Sequence, residues 1–307
     1  MLIIRFINLR VTARCNEECV FCYRGKLSEP ELSTEEIKLV IDMLYGQGFK
    51  GLRISGGEPL LRKDIVDIVR YAAEKEFVTQ LATNGNMLTE QLSRELLDCG
   101  LNRLYISLGD MVDYEKLNNF KRNLVNFTID KLNEVLGGIL IITRPMIVDL
   151  KKCLNWLADC NVLYLNLIPP KLSADISWFK KNKLTYDDYK TITNILYKYK
   201  ERFYYEFDCG FKILRQLMNY LNNKRIKDFE KCSYTITINN DGTVLPCCYY
   251  KNREKCINIF DVDIFIDIFN TEAFNEFYKV KEKDNKGIFN YPFCMNFELA
   301  NMEEDLL

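Results

Sequence analysis

The sequence predicts an α/β fold: a partial (β/α)6 barrel of parallel strands, followed by a small C-terminal cysteine-rich α+β domain. Three observations carry this expectation. Short apolar, β-branched runs alternate with segments of helical period through the first 170 residues, as repeated βα units do. Polar and glycine-rich motifs fall at the ends of successive runs, where the loops of a parallel barrel build its site. Six of the twelve cysteines crowd the last hundred residues.

Candidate strands are residues 3–11, 52–55, 78–82, 103–107, 139–143 and 162–167. The helix after the first strand is signalled by Ser33 and Glu36 as a capping box, with Ile37, Val40, Ile41 and Leu44 on one face and Gly46 and Gly48 ending it. A second helix is expected over 64–75, and a third begins after Thr89 as N-cap and closes at Gly100. Two more follow at 114–135 and 148–160. Pro169 and Pro170 close the sixth strand and mark a boundary. The expected division is therefore 1–170 as barrel core, 171–230 as helical linker and 231–307 as the cysteine-rich domain. Helices at 186–200 and 211–222 fill the linker, and a hairpin of 234–238 with 243–245 turns at Asn240-Asp241-Gly242.

A net charge of −1 with 28% charged residues gives no long-range pull toward nucleic acid or an acidic membrane, which argues against both as partners. The apolar run 1–10 is broken by Arg5 and Arg10 and is too short for a signal peptide or a spanning helix, so a cytoplasmic protein is expected. Cysteines in that compartment are reduced, which makes metal ligation their leading use. Histidine is absent, so site chemistry falls to thiolate, carboxylate, Lys and Tyr.

Cys15-x3-Cys19-x2-Cys22 follows the first strand directly. Three thiolates on a four-iron cube leave one iron open. A zinc knuckle short of its fourth ligand, or three unrelated core cysteines, are the competing readings. Gly56-Gly57-Glu58-Pro59 stands at the end of the second strand, Thr83-Asn84-Gly85 at the end of the third and Ser107 at the end of the fourth. Together these motifs resemble the radical S-adenosylmethionine (SAM) superfamily, and residues 4–107 look most like the branch holding the molybdenum cofactor enzyme and peptide-modifying members.

The resemblance implies a [4Fe-4S] cluster on Cys15, Cys19 and Cys22 whose open iron chelates SAM, with reductive cleavage giving a 5'-deoxyadenosyl radical that takes hydrogen from a substrate carbon. It implies further that Phe21, Gly56, Gly57, Glu58, Pro59, Thr83, Asn84 and Ser107 contact SAM. In this reading the Glu58 carboxylate holds the ammonium group, Arg144 pairs with the carboxylate, and Asn166 and Ile168 border the adenine. The family often has Ser-Leu-Asp after the fourth strand. Here Leu108-Gly109-Asp110 displaces the acid by one residue, which puts a role for Asp110 in doubt.

Cys232-x9-Gly242-x4-Cys247 resembles the opening of the SPASM and twitch domains, which bind auxiliary iron-sulfur clusters. The closing C-x2-C of that pattern is replaced by Cys294-Met295-Asn296-Phe297, so one auxiliary cluster is expected. Its ligands would be Cys232, Cys247, Cys294 and Cys209, with Cys248 and Cys256 competing for a place or serving as hydrogen-atom donors. Zinc in the same thiolates, or loss of the metal, are the alternatives. Cys99, Cys153 and Cys160 sit among apolar residues on helices and read as core.

By resemblance this layout most often modifies peptides, so peptide maturation is the first expectation. A small-molecule oxidoreductase or cofactor- or sugar-biosynthesis enzyme is the second, and a non-catalytic iron-sulfur or zinc protein a distant third. The expected partners are an electron donor such as flavodoxin or ferredoxin and a separate peptide-recognition protein, since a first strand starting at residue 3 leaves no room for such a domain.

Overall fold

The computed structural model describes residues 6–22, 30–110, 134–171, 175–208, 236–250, 252–262 and 265–275. The helix expected at 114–135 falls almost wholly outside these residues, as do the helix at 211–222, the first residues of the hairpin, and Cys209, Cys232 and Cys294.

Seven parallel strands follow one another across the sheet in chain order: β1 (Ile7–Arg10), β2 (Gly51–Ser55), β3 (Val78–Thr83), β4 (Arg103–Ser107), β5 (Leu136–Ile141), β6 (Tyr164–Ile168) and β7 (Tyr204–Phe207). Parallel neighbours require crossovers. Those described include α1 (Thr34–Gly46), α2 (Ile65–Glu74), α3 (Glu90–Asp98), α4 (Met146–Asp159), α5 (Ile176–Asn182) and α6 (Tyr186–Lys198). The hairpin strands β8 (Thr237–Ile238) and β9 (Val244–Leu245) extend the same sheet: β8 lies parallel to β1, with Leu9 opposite Ile238, and β9 runs antiparallel to β8.

The helices start and stop where their caps dictate. Ser33 Oγ accepts from the Glu36 N–H while a Glu36 carboxylate oxygen accepts from the Ser33 N–H, the reciprocal pair that satisfies two orphan donors of α1. Thr89 Oγ1 accepts from Leu92 N at 3.1 Å to begin α3, and Gly100 takes φ +98° just past its end. Ile37, Val40, Ile41 and Leu44 of α1 are fully buried and join Ile7, Leu9, Leu52 and Ile54 of the strands in one core.

The sheet curls into a partial barrel, and one ion pair shows it. Four strands separate β2 from β7, which in a flat sheet would hold them roughly 24 Å apart. Yet Arg53 Nη2 on β2 lies 3.3 Å from Glu206 Oε2 on β7. The second Glu206 oxygen accepts from Tyr105 Oη of β4 at 2.8 Å, and Arg53 Nε donates to Gln80 Oε1 of β3 at 2.9 Å.

Two elements differ from the sequence-based expectation. β5 begins three residues before the predicted 139 and takes in Gly137-Gly138. A Cβ on Gly137 would come within 2.6 Å of the Tyr105 ring, so the strand needs glycine to pass that side chain. β7 falls inside the stretch read as a helical linker. Phe203 and Tyr205 are buried while Tyr204 between them is exposed, a two-residue period hidden by the run of aromatics. No helix among the described residues is long and apolar enough to cross a membrane.

Glu206→Gln leaves Arg53 without its counter-charge in a partly buried setting and should lower the unfolding free energy by roughly 1–2 kcal/mol. A urea midpoint equal to that of the parent protein would show that the brace does not hold the barrel.

Candidate functional site

The loop after β1 carries the first three cysteines, and the turn after β2 grips it through the backbone. Gly57 N donates to Thr12 O and Glu58 N to Arg14 O, both at 2.7 Å. A Cβ on Gly57 would lie 1.8 Å from Arg14 O, and one on Gly56 2.7 Å from Thr12 O. The two glycines are thus required by the close approach of the chain to its own cysteine loop. Glu31 holds the other side, accepting from Thr12 Oγ1 at 2.6 Å and Ala13 N at 2.7 Å, with the Arg14 guanidinium nearby. Burial works to raise the Glu31 pKa, but these donors and the Arg14 charge outweigh it and hold the carboxyl below its ordinary value. Arg62, nearly buried, donates from one nitrogen to Val11 O and Leu32 O, pinning the chain on both sides of the loop.

Glu58 is held where the β2 and β3 turns meet. Its side chain is fully buried, and its oxygens accept from Leu60 N at 3.0 Å, Thr83 Oγ1 at 2.6 Å and Asn84 N at 2.7 Å. The carboxylate ties the β2 turn to the β3 turn. Burial pushes its pKa above the ordinary carboxylate value in spite of the three donors. The β3 turn reaches the cysteine loop in its turn: Asn84 Nδ2 donates to Asn16 Oδ1 at 2.7 Å and Asn86 Nδ2 to Glu17 Oε1 at 2.8 Å.

Within the loop, Cys22 N donates to Cys19 O at 3.0 Å, closing a turn that brings the last two cysteines together. Cys15 is exposed and the other two are partly covered. Burial pushes the Cys19 thiol up to about 12, with the Glu17 carboxylate and the Cys22 and Cys15 thiols adding to the rise. Three thiols close enough to repel one another as anions, on an open turn at a barrel mouth, fit a cationic iron cluster, whose bonds to sulfur reverse that preference. No three metal-ligating side chains among the described residues are gathered tightly enough for a single metal ion. Thiolates around a cube stand further apart, each on its own iron.

Two residues not assigned a site role from the sequence face the same mouth. The Phe21 ring lies 6.1 Å from that of Trp178 on α5, and Trp178 Nε1 donates to Asp110 Oδ2 at 3.0 Å. The displaced acid of Leu108-Gly109-Asp110 therefore has a partner, reached because Gly109 turns at φ +74°. Ser107 is half-buried at the end of β4, and Asn166 is buried inside β6. Arg144 Nε lies 3.1 Å from Asp188 Oδ2, in the first turn of α6.

Among the C-terminal cysteines that are described, Cys247 is buried, and Cys248 and Cys256 are partly so. Arg10 of β1, buried, donates to Asn239 Oδ1 at 2.8 Å and to Cys248 O at 2.9 Å, which fixes this segment against the barrel. Cys256 Sγ lies 3.6 Å from Asn252 O, and burial pushes its thiol up to about 12. Cys99 and Cys153 lie in the hydrophobic core and Cys160 packs against it.

Glu58→Gln places an amide where three donors converge and should cost about 1–3 kcal/mol. Because the folded-state pKa of Glu58 is raised, its contribution to stability is full below the ordinary carboxylate pKa of 4.5 and is lost as pH rises through the raised value. Urea unfolding from pH 4 upward should show this fall in the parent protein and its removal in the variant. An identical pH dependence in both would contradict the assignment.

Comparisons with known proteins agree with this geometry. The model of the radical SAM superfamily matches residues 9–143, and that of the SPASM iron-sulfur cluster-binding domain matches residues 216–296. A GTP 3',8-cyclase of Campylobacter lari is 24% identical over 314 residues, covering 93% of this chain and 94% of the relative. One from Ectopseudomonas mendocina is 36% identical over 142 residues, 44% of this chain and 40% of that relative, so this match spans well under two thirds of its length. Among solved structures, Streptococcus suis SuiB bound to S-adenosylmethionine superposes with a TM-score of 0.72 at 12% identity, covering 95% of this chain and 71% of SuiB. The anSMEcpe protein with bound AdoMet and Kp18Cys peptide gives 0.70 at 14%, covering 94% and 88%. These likenesses establish a shared fold. The two matched domains imply a [4Fe-4S] cluster with SAM and an auxiliary iron-sulfur cluster. The chain therefore carries a radical SAM domain over residues 9–143 and a C-terminal SPASM domain over residues 216–296, and is an iron-sulfur enzyme.

Proposed function

We propose that this enzyme acts on a small organic substrate of nucleotide type, reversing the order of preference drawn from the sequence. The observation that carries the proposal is the alignment with the Campylobacter lari GTP 3',8-cyclase, which runs over 94% of that relative and 93% of this chain. The second reading, peptide modification, is favoured by the SPASM match and by the fold shared with SuiB and anSMEcpe.

In this proposal Cys15, Cys19 and Cys22 hold the cluster, and the SAM bound at its open iron supplies a carbon-centred radical for hydrogen abstraction. Phe21, Thr83, Asn84 and Ser107 border the SAM site at the barrel mouth, with Gly56 to Pro59 forming the turn that supports it. Glu58 acts through that turn as a positioning residue, while Arg144 belongs to the support of α6. Cys247 is an auxiliary-cluster ligand together with Cys209, Cys232 and Cys294, and residues 231–307 are the unit that carries this cluster. A flavodoxin or ferredoxin supplies the electron.

The test uses anaerobically reconstituted protein with dithionite and SAM. The parent protein should form 5'-deoxyadenosine, and Cys22→Ala should reduce this to the uncatalysed background. Adding uniformly deuterated GTP, or other deuterated nucleotides, should place deuterium in the 5'-deoxyadenosine. Transfer only from deuterated peptides would overturn the nucleotide reading in favour of the second.

A further inference from the structure

The open side of the partial barrel lies between its two outer strands, β7 at one end of the sheet and the β8–β9 pair beyond β1 at the other. The segment after β9, Cys247 to Tyr250, spans this seam. On the β1 side it is held by Arg10, which donates to Cys248 O at 2.9 Å. On the far side Tyr249 Oη donates to Asp208, the residue that follows β7. Asp208 is itself fixed to the sheet, since its N–H donates to Leu167 O of β6 at 3.0 Å. Lys171, just past β6, completes the group: its Nζ lies 3.4 Å from Asp208 Oδ2 and 4.3 Å from the centre of the Tyr249 ring.

Lys171 is only 5% exposed and Tyr249 only 8%. A buried ion pair adds little net stability compared with apolar residues of similar volume, because desolvation offsets the attraction. What it does supply is geometry. A carboxylate engaged by both an ammonium and a phenol, with the ammonium over the phenol ring, permits one arrangement of the three side chains.

We propose that Lys171, Asp208 and Tyr249 are positioning residues that latch the auxiliary-cluster segment across the barrel seam and so set the separation of the two iron-sulfur clusters. This rests on the reading of Cys247 as an auxiliary ligand. Tyr249 stands two residues from that thiol, so a shift of its anchor shifts the cluster relative to the mouth where Cys15, Cys19 and Cys22 lie. Electron exchange between clusters falls steeply with distance, which makes the latch a determinant of how efficiently a substrate radical is oxidised.

The experiment compares full-length, anaerobically reconstituted parent protein with Tyr249→Phe, Lys171→Met and Lys171→Arg, reading iron content, the dipolar distance between the reduced clusters, and the auxiliary midpoint potential. Tyr249→Phe and Lys171→Met should keep the parental iron content and still cleave SAM, but broaden the inter-cluster distance distribution. Both should also change the reduced-to-oxidised ratio of the auxiliary cluster at fixed potential by about tenfold, equivalent to about 59 mV for one electron. Lys171→Arg should restore both readouts. Ile68→Val, which loosens the packing of α2 on the far side of the sheet from the latch, should move neither. Parental distance and potential in both Tyr249→Phe and Lys171→Met at full iron loading would overturn the latch alone. About four irons in the parent protein, the content of a single cluster, would overturn the auxiliary-cluster reading and the latch with it.

Discussion

The carboxylate of Glu206 meets Arg53 and Tyr105 inside the curl of the sheet, and the placement of every loop at the mouth depends on that closure. Parallel strands deliver all their C-terminal loops to one end. In a flat sheet those loops would form a row. With β7 drawn toward β2 they form an arc, and side chains from the ends of distant strands come within contact range. The pairing of Trp178 on α5 with both Phe21, after β1, and Asp110, after β4, is possible only in such an arc.

Within the arc the cysteine loop is held mainly by its own backbone and by acids, of which Glu58 is buried. Glu58 and Glu17 accept hydrogen bonds that join one loop to another, Glu31 accepts from Thr12 and Ala13 and so ties together the two ends of the cysteine loop, and Arg62 donates to carbonyls on both sides of it. In a chain without histidine, carboxylates do much of this connecting work. A loop so constrained presents its thiols in a fixed arrangement before any metal arrives, and preorganisation of that kind lowers the ordering cost of binding.

The C-terminal region is continuous with the barrel. β8 pairs in parallel with β1, whose own C-terminal end leads into the cysteine loop, so one strand connects both cysteine groups. Arg10, at the end of that strand, reaches the backbone of Cys248. The architecture thus couples the radical SAM domain to the SPASM domain through hydrogen bonds within a single sheet.

By itself the sequence determined the βα alternation, the capped ends of α1 and α3, the cysteine triad after β1 and the family to which these belong. All are local patterns, set by periodicity, cap chemistry and spacing along the chain. Tertiary structure decided the rest. The place of Gly137 in a strand depends on the Tyr105 ring of the neighbouring strand, and β7 depends on an open edge at β6. The parts played by Glu58 and Arg144 turned on partners 25 and 44 residues away. Which acid becomes a strut and which arginine supports a helix is settled by burial and by contacts between distant residues, and neither is written in the local order of the chain.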